Sequence, residues 1–204
     1  MLKFSIPSPM LAAVLPCAAK RDLRYYLNAV HIDYTPKRAR VVATDGAILA
    51  VCRGPVTVTE GDAAVNNRIT IPRDLIESAL KTKCASVEMH VDSADDLGRH
   101  PVVVSAGNQS WAGSAVDRVY PDYEAVFSAF RSDEQSNATR LVPANVATLA
   151  ACAKAFKGAT LELQAQAEPA SPVRWQLSNL PDDYAVAGVL MPVKPNYGRV
   201  AEAV

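Results

Sequence analysis

One pattern is written three times along the 204 residues: a short strand, a helix opened by proline, then a three-strand meander. Repetition on this scale constrains the fold before any single motif does, because one unit cannot bury its helix stripe and its sheet face alone. In the first unit residues 2–6 alternate as a strand. Ser8 is placed to cap a helix with Pro9 at its first position. The helix runs to about residue 19, with Met10, Val14 and Cys17 on one face and Pro16 kinking or shortening it. Strands at 29–34 and 39–44 follow, joined by a turn carrying Pro36, Lys37 and Arg38, and a third strand covers 47–52. Thr44-Asp45-Gly46 makes a sharp corner before the third strand: glycine permits a positive φ, and Asp45 can bond its neighbouring backbone.

Residues 54–67 read as a connector rich in Val, Thr, Gly and Asn, after which the pattern restarts. A strand at 68–71 leads to a helix opened by Pro72 and running to about residue 81, with Leu75, Ile76, Ala79 and Leu80 on its buried face. Strands at 85–91, 101–105 and 109–115 complete this unit, with a polar loop at 92–100 and a Gly107-Asn108 turn. Residues 131–138 are a polar linker to the third copy. That copy has a short strand at 139–142, a helix from Pro143 with a stripe of Val146, Leu149, Ala150 and Ala153, and Gly158 placed to end it. Its strands fall at 160–164, 173–177 and 184–192. The predicted class is α+β, three β-α-β-β-β units with antiparallel sheets and the helices on one face.

Composition excludes more than it selects. Lys plus Arg and Asp plus Glu both number 21, so bulk charge does not announce a nucleic-acid binder, although a ring that meets DNA on an inner surface can be neutral overall. No segment reaches the roughly 18 unbroken apolar residues of a membrane span, and the first nine residues lack the apolar run of a secretory signal. Cys17, Cys52, Cys84 and Cys152 lie far apart without a Cys-x-x-Cys pair, which reads as reduced cysteines of a cytoplasmic protein. His31, His90 and His100 sit apart with no ligand spacing, Asp95-Asp96 and Asp182-Asp183 read as solvated loop carboxylates, and Ser110 has no recognisable His and Asp partners. The expectation is no catalytic residue, no metal and no cofactor.

The stretch RYYLN from residue 24, VATDG from residue 42 and LAVC from residue 49 resembles, in order and spacing, the middle domain of the bacterial DNA polymerase III beta subunit, the sliding clamp. RITIPRDLIESAL from residue 68 resembles that domain's second helical unit, and AVDRVYPDYEAVF from residue 115 the signature that closes it. VLMPVKP from residue 189 is similar to the clamp's terminal strand and tail. The resemblance implies a DNA clamp-like fold, in which each domain is two such units. Residues 1–128 then form one complete domain, with units at about 1–56 and 66–128. Residues 129–204 match only the second half of the last domain, with a C-terminal tail. It also implies helices facing a central channel, sheets outside, and a hydrophobic pocket for short partner peptides.

Carried over motif by motif, the resemblance places the peptide-binding cleft at Leu27, Thr44, Gly46, Ala47, Ile48 and Leu49, at Pro121, Ala125 and Val126, and at Val189, Met191, Pro192 and Val193. Small and apolar groups with a flexible methionine suit a peptide groove; the plain alternative is that these are core and turn residues. Ala47 and Ile48 stand where clamps usually have His-Arg, and Ala125 where arginine is common, so the implied pocket is more apolar. Arg24, Tyr25 and Tyr26 match positions that meet DNA at the channel edge, with packing of the tyrosines against the first helix as the alternative. Lys20 and Arg21, Arg73 and Lys81 (with Lys83), and Lys154 (with Lys157) are the basic residues the helices offer, a thin lining from which weak binding of double-stranded DNA per chain is expected. The implied function is a non-enzymatic, clamp-like accessory protein of DNA replication that binds the short clamp-binding motifs of polymerase or other partners and encircles duplex DNA as an oligomer, with no membrane role. The alternative is an adaptor or decoy that captures such motifs without encircling DNA. Because the third helix has no second unit of its own to cover it, a homo-oligomer through the C-terminal unit is expected.

Overall fold

Strand exchange between repeated units sets this architecture. The computed structural model describes residues 2–61, 67–128, 143–164 and 172–191, with the backbone alone at Asn67 and Ser128. β1 (Leu2–Pro7) leads into α1 (Ser8–Val14), and a 3-10 turn at Leu15–Cys17 follows, the α-helix having been cut short at Pro16. Ser8 is not the cap: it is already helical, and its N–H donates to the Ala85 carbonyl at 2.9 Å. Pro7, which has no N–H to satisfy, takes the flanking position instead. The first meander is β2 (Ala29–Tyr34), β3 (Arg38–Thr44) and β4 (Ile48–Pro55). The predicted connector contains a further strand, β5 (Thr57–Glu60). The second unit is β6 (Asn67–Pro72), α2 (Arg73–Leu80), β7 (Ser86–Val91), β8 (Pro101–Ala106) and β9 (Gln109–Ser114). A short helix not foreseen in the sequence, α3 (Tyr123–Ser128), follows. The third unit contributes α4 (Pro143–Ala153), β10 (Thr160–Gln164), β11 (Val173–Ser178) and β12 (Ala185–Leu190). The predicted linker at 131–138 and strand at 139–142 lie outside the described residues.

The described strands form two antiparallel sheets, ordered β5-β1-β7-β8-β9 and β10-β11-β12-β4-β3-β2-β6. β1 therefore leaves its own meander for that of the second unit, and β6 does the reverse. The third unit joins differently, edge to edge, with β12 running against β4 from Leu190↔Ile48 to Ala185↔Arg53.

Strand alternation sorts the larger sheet into two faces. Val41, Ala43, Ile48, Ala50 and Cys52 point into one core with Met10, Leu11 and Val14 of α1 and Ile76 of α2. Val42 and Leu49 point the other way and are covered by Tyr120, with Val51, Tyr123 and Phe127 around them. So α1, α2 and α4 lie on the inner face, and the segment through α3 lies on the outer one.

The predicted stripe of α4 is corrected by this packing. Leu149 and Cys152 are fully buried in the inner core with Phe156, whereas Val146 is 45% exposed, Ala150 is exposed and Ala153 half-buried. The helix is rotated because α1 and the turn after it supply the covering surface. Cys17 of that turn meets Cys152 with sulfurs 3.6 Å apart. The hydrogen bond to Cys152 and then burial push the Cys17 thiol well above its ordinary value, so it stays protonated. The expectation that the third helix lies uncovered by its own chain is thus overturned in part. What remains open among the described residues is Val146 and Ala150, Leu163 at 48% exposure, and the outer edge of β10.

Candidate functional site: a groove rim and an exposed tip

Two residue networks converge where β3 turns into β4. Gly46 adopts φ of 93°, the left-handed region that favours glycine. The Asp45 carboxylate accepts the N–H groups of Ala47 at 2.8 Å and Ile48 at 2.9 Å, and the Thr44 hydroxyl donates to the Ile48 carbonyl at 2.8 Å while accepting the Gly46 N–H at 3.0 Å. These bonds tie the corner together from within. Met191, just past β12, donates its N–H to the Ala47 carbonyl at 2.9 Å. Segments far apart in the chain thus meet: Thr44 pairs with Leu49, Leu49 with Val189, and Met191 closes the row.

The structure does not treat the predicted cleft residues alike. Thr44, Gly46, Ala47 and Met191 border an open surface, with Leu49 and Val189 buried in its floor beside Tyr120. Pro121, Ala125 and Val126 are exposed on and before α3. Leu27 is buried. Ile48 departs from the set: alternation turns it into the inner core, opposite in sense to Leu49. Pro192 and Val193 lie outside the described residues. A hollow of about 1050 Å³ between the ends of the two sheets is lined by Pro121, Tyr120, His31, Thr70, Arg68 and His100 among others. Another of about 360 Å³ lies beside α3 over Arg40, Arg53 and Ala185. Of the described cleft residues, only Pro121 lines either one.

Under the larger hollow, His31 stacks on Tyr120 with ring centroids 4.7 Å apart and planes at 7°, and its Nδ1 lies 2.9 Å from the Thr70 hydroxyl. Burial drives its pKa down to about 4, with Arg68 adding to the effect and Asp33 opposing it. At neutral pH it is an uncharged packing group that seats the outer segment. Arg40 helps by pairing with Glu124 of α3.

The second network is a tip. Tyr25–Leu27 forms a single 3-10 turn ahead of β2, the N–H of Leu27 being drawn back to the Arg24 carbonyl at 2.8 Å. Lys20, Arg21, Leu23, Arg24 and Tyr25 are exposed; Tyr26 is half-buried, edge-on to Tyr25 at 6.1 Å and beneath the Arg118 guanidinium at 6.0 Å. Arg24 is bound to Asp22 in a two-point ion pair. Of the helix cations, Lys81, Lys83, Lys154 and Lys157 are exposed. Arg73 is withdrawn: its Nη1 donates to the carbonyls of Leu15 at 2.6 Å and Ala18 at 2.7 Å, closing the end of the first helix. Sequence alone could not show this, because the acceptors belong to another unit. Among the described residues no group of three His, Cys, Asp or Glu side chains stands close enough to hold a metal ion, and no helix is long and apolar enough to cross a membrane.

No model of a protein family matches the chain. It is 29% identical over 129 residues to the beta sliding clamp of Pseudomonas aeruginosa, covering 61% of this chain and 34% of that one. It is 31% identical over 110 residues to that of Pseudomonas putida, covering 53% and 28%. With that of Escherichia coli it shares 25% over 134 residues, covering 61% and 33%. The matched stretches thus span about a third of these relatives. Among solved structures, the DNA polymerase III subunit beta of Pseudomonas aeruginosa superposes with a TM-score of 0.65 at 18% identity, covering 95% of this chain and 67% of that one. A Helicobacter pylori beta clamp in complex with carprofen does so with a TM-score of 0.70 at 14% identity, covering 96% and 68%. On these likenesses of sequence and fold, the chain is a sliding-clamp-like protein, built on the clamp fold of the bacterial DNA polymerase III beta subunit.

Proposed function

We propose that this protein is a non-enzymatic accessory factor of DNA replication that receives short clamp-binding peptides at the rim formed by Thr44, Gly46, Leu49, Val189 and Met191. The observation that carries the reading is the β4–β12 joint, which brings Met191 against Ala47 beside the Gly46 corner. A groove built there has a buried apolar floor and a mobile thioether at its edge, which suits an extended peptide with apolar anchors. A labelled peptide carrying a bacterial clamp-binding motif binds in the micromolar range, roughly 8 kcal/mol. Gly46→Trp weakens it at least about tenfold, since φ of 93° strains any side chain there and the indole covers the rim. Equal binding by parent and variant removes the groove from Gly46.

The partners of the whole assembly are double-stranded DNA and replication proteins bearing such motifs. With Arg73 turned inward, the described helices of one chain offer few free cations to hold DNA, so encirclement calls for copies joined at the open end of the third unit. Val146, Leu163 and the β10 edge form that end, and a two-fold copy covers it most simply. Retention on nicked circular DNA, lost when the circle is cut, is the expected result, with a scattering mass above that of one chain. Peptide binding without topological retention supports a motif-capturing adaptor instead.

A further inference from the structure

We propose that Arg24 is a positioning residue for the groove rim and not a phosphate ligand: pinned by Asp22, it buttresses the Asp45–Gly46 turn and ties the exposed Leu23–Tyr25 tip to the peptide groove. The proposal rests on the reading of Gly46 as part of that rim. The Asp22 carboxylate accepts the backbone N–H of Arg24 at 2.8 Å, its Nε at 2.9 Å and its Nη2 at 2.8 Å. Asp22 is itself anchored across the base of the loop. Its N–H donates to Asn28 Oδ1 at 2.9 Å, and Asn28 Nδ2 donates to the Asp22 carbonyl at 2.9 Å. From this fork Nη2 reaches on to the Asp45 carbonyl at 3.2 Å. The guanidinium lies so close over the turn that a β-carbon on Gly46 would stand 3.0 Å from Nη2 and 3.1 Å from Nη1.

Charge points the same way. Hydrogen bonds from Arg24 hold the Asp22 carboxyl down at about 2, so the pair stays ionised throughout the neutral range and its two charges cancel locally. A guanidinium whose planar fork is already matched to a carboxylate has little left for a phosphate. Lys20 and Arg21 are exposed and without an ion pair among the described residues, and they are the tip's phosphate contacts instead. Beyond Asp45 the path continues: its side chain fixes the amides of Ala47 and Ile48, and the Ala47 carbonyl holds Met191. Leu23, wholly exposed, and Tyr25 flank Arg24 directly, so whatever grips the tip also bears on the rim.

The test uses the full chain, a labelled clamp-binding peptide and a short DNA duplex at several salt concentrations, with amide hydrogen exchange read at Ala47 and Ile48. Arg24→Ala and Asp22→Asn are expected to speed exchange at both amides and to weaken the peptide about fivefold, as loss of one or two hydrogen bonds does. Arg24→Lys, which keeps one charged donor, recovers most of that affinity. On DNA the two variants part. Arg24→Ala leaves the slope of log affinity against log salt unchanged, while Asp22→Asn, by releasing the guanidinium, tightens binding. Lys20→Ala lowers the slope by about 0.9. A slope reduced by about 0.9 in Arg24→Ala with exchange unchanged would make Arg24 a phosphate ligand and overturn the proposal. So would weaker DNA binding by Asp22→Asn. If the parent binds no peptide, the groove reading fails, and the exchange and DNA arms still decide the role of Arg24.

Discussion

Replacing Gly188 by alanine is expected to unseat the third unit from the first. Gly188 lies in β12, opposite Ala50 of β4 and Trp175 of β11. A β-carbon there would stand 1.9 Å from the Leu49 carbonyl oxygen and 2.4 Å from Cε2 and Nε1 of Trp175. Neither neighbour can retreat. The carbonyl belongs to a paired central strand, and the indole is fully buried with its N–H donating to that same carbonyl at 3.2 Å. A methyl has no alternative rotamer, so the strand must part or the ring must leave its pocket. The cost is at least about 3 kcal/mol, at the upper end for overpacking. The chain has two tryptophans, so in a Trp111→Phe background emission reports Trp175 alone and shifts to the red as the ring meets water. Gly113→Ala serves as control: its β-carbon meets only the flexible end of Leu75 at 2.9 Å and costs under about 1 kcal/mol. An unchanged denaturation midpoint in Gly188→Ala would contradict the described joint.

Acidification from pH 7 to 5 is expected to remove about 2 kcal/mol of stability through His31 alone. The folded protein holds this imidazole near 4, below the 6.5 of an unfolded chain, chiefly through burial. The unfolded state therefore takes up a proton first as pH falls. The contribution is complete above about pH 7, declines below 6.5, and is exhausted near 4, where the folded form also protonates. Protonation would place a charge against Tyr120 in a buried stack, bonded to the Thr70 hydroxyl and with the Asp33 carboxylate offsetting only part of the cost of burial. His31→Gln keeps a polar partner for Thr70 and should flatten the stability profile between pH 7 and 5. Parallel profiles for parent and variant would remove His31 from the account.

The repeated pattern was legible because each unit announces itself locally. Proline opens each of the three main helices, and the alternation of Val87, Met89 and Val91 becomes a strand with those side chains buried. What escaped was decided between units. Arg73 reads as a surface cation until the carbonyls of Leu15 and Ala18 are seen beside it. The buried face of α4 depends on where α1 lies, so Cys152 displaces Ala150 from the inner side. Ile48 and Leu49 are equally apolar neighbours, and only the pairing of β4 with β3 and β12 fixes which one turns to the outer face. β5 did leave a trace in the alternating Val-Thr stretch at 56–59, but its partner β1 lies more than fifty residues earlier, at Phe4↔Val58.

The exchange of β1 and β6 has a consequence for how such a chain can be made and edited. On the ribosome, β1 emerges with Phe4 and Ile6 still bare, and its long partner β7 is complete only when Val91, the mate of Leu2, has been added. At ordinary synthesis rates that wait lasts about 5 to 20 s, during which β5 is the one partner at hand. A gene cut between the first two units would leave β1 without β7 and β2 without β6, so neither half is a viable module. The third unit's strands attach through the β4–β12 edge alone, with no strand traded among the described residues. That unit could therefore be removed without breaking a strand exchange, at the cost of baring the β4 edge and the Cys17 face that α4 covers, while the first two must travel as a pair.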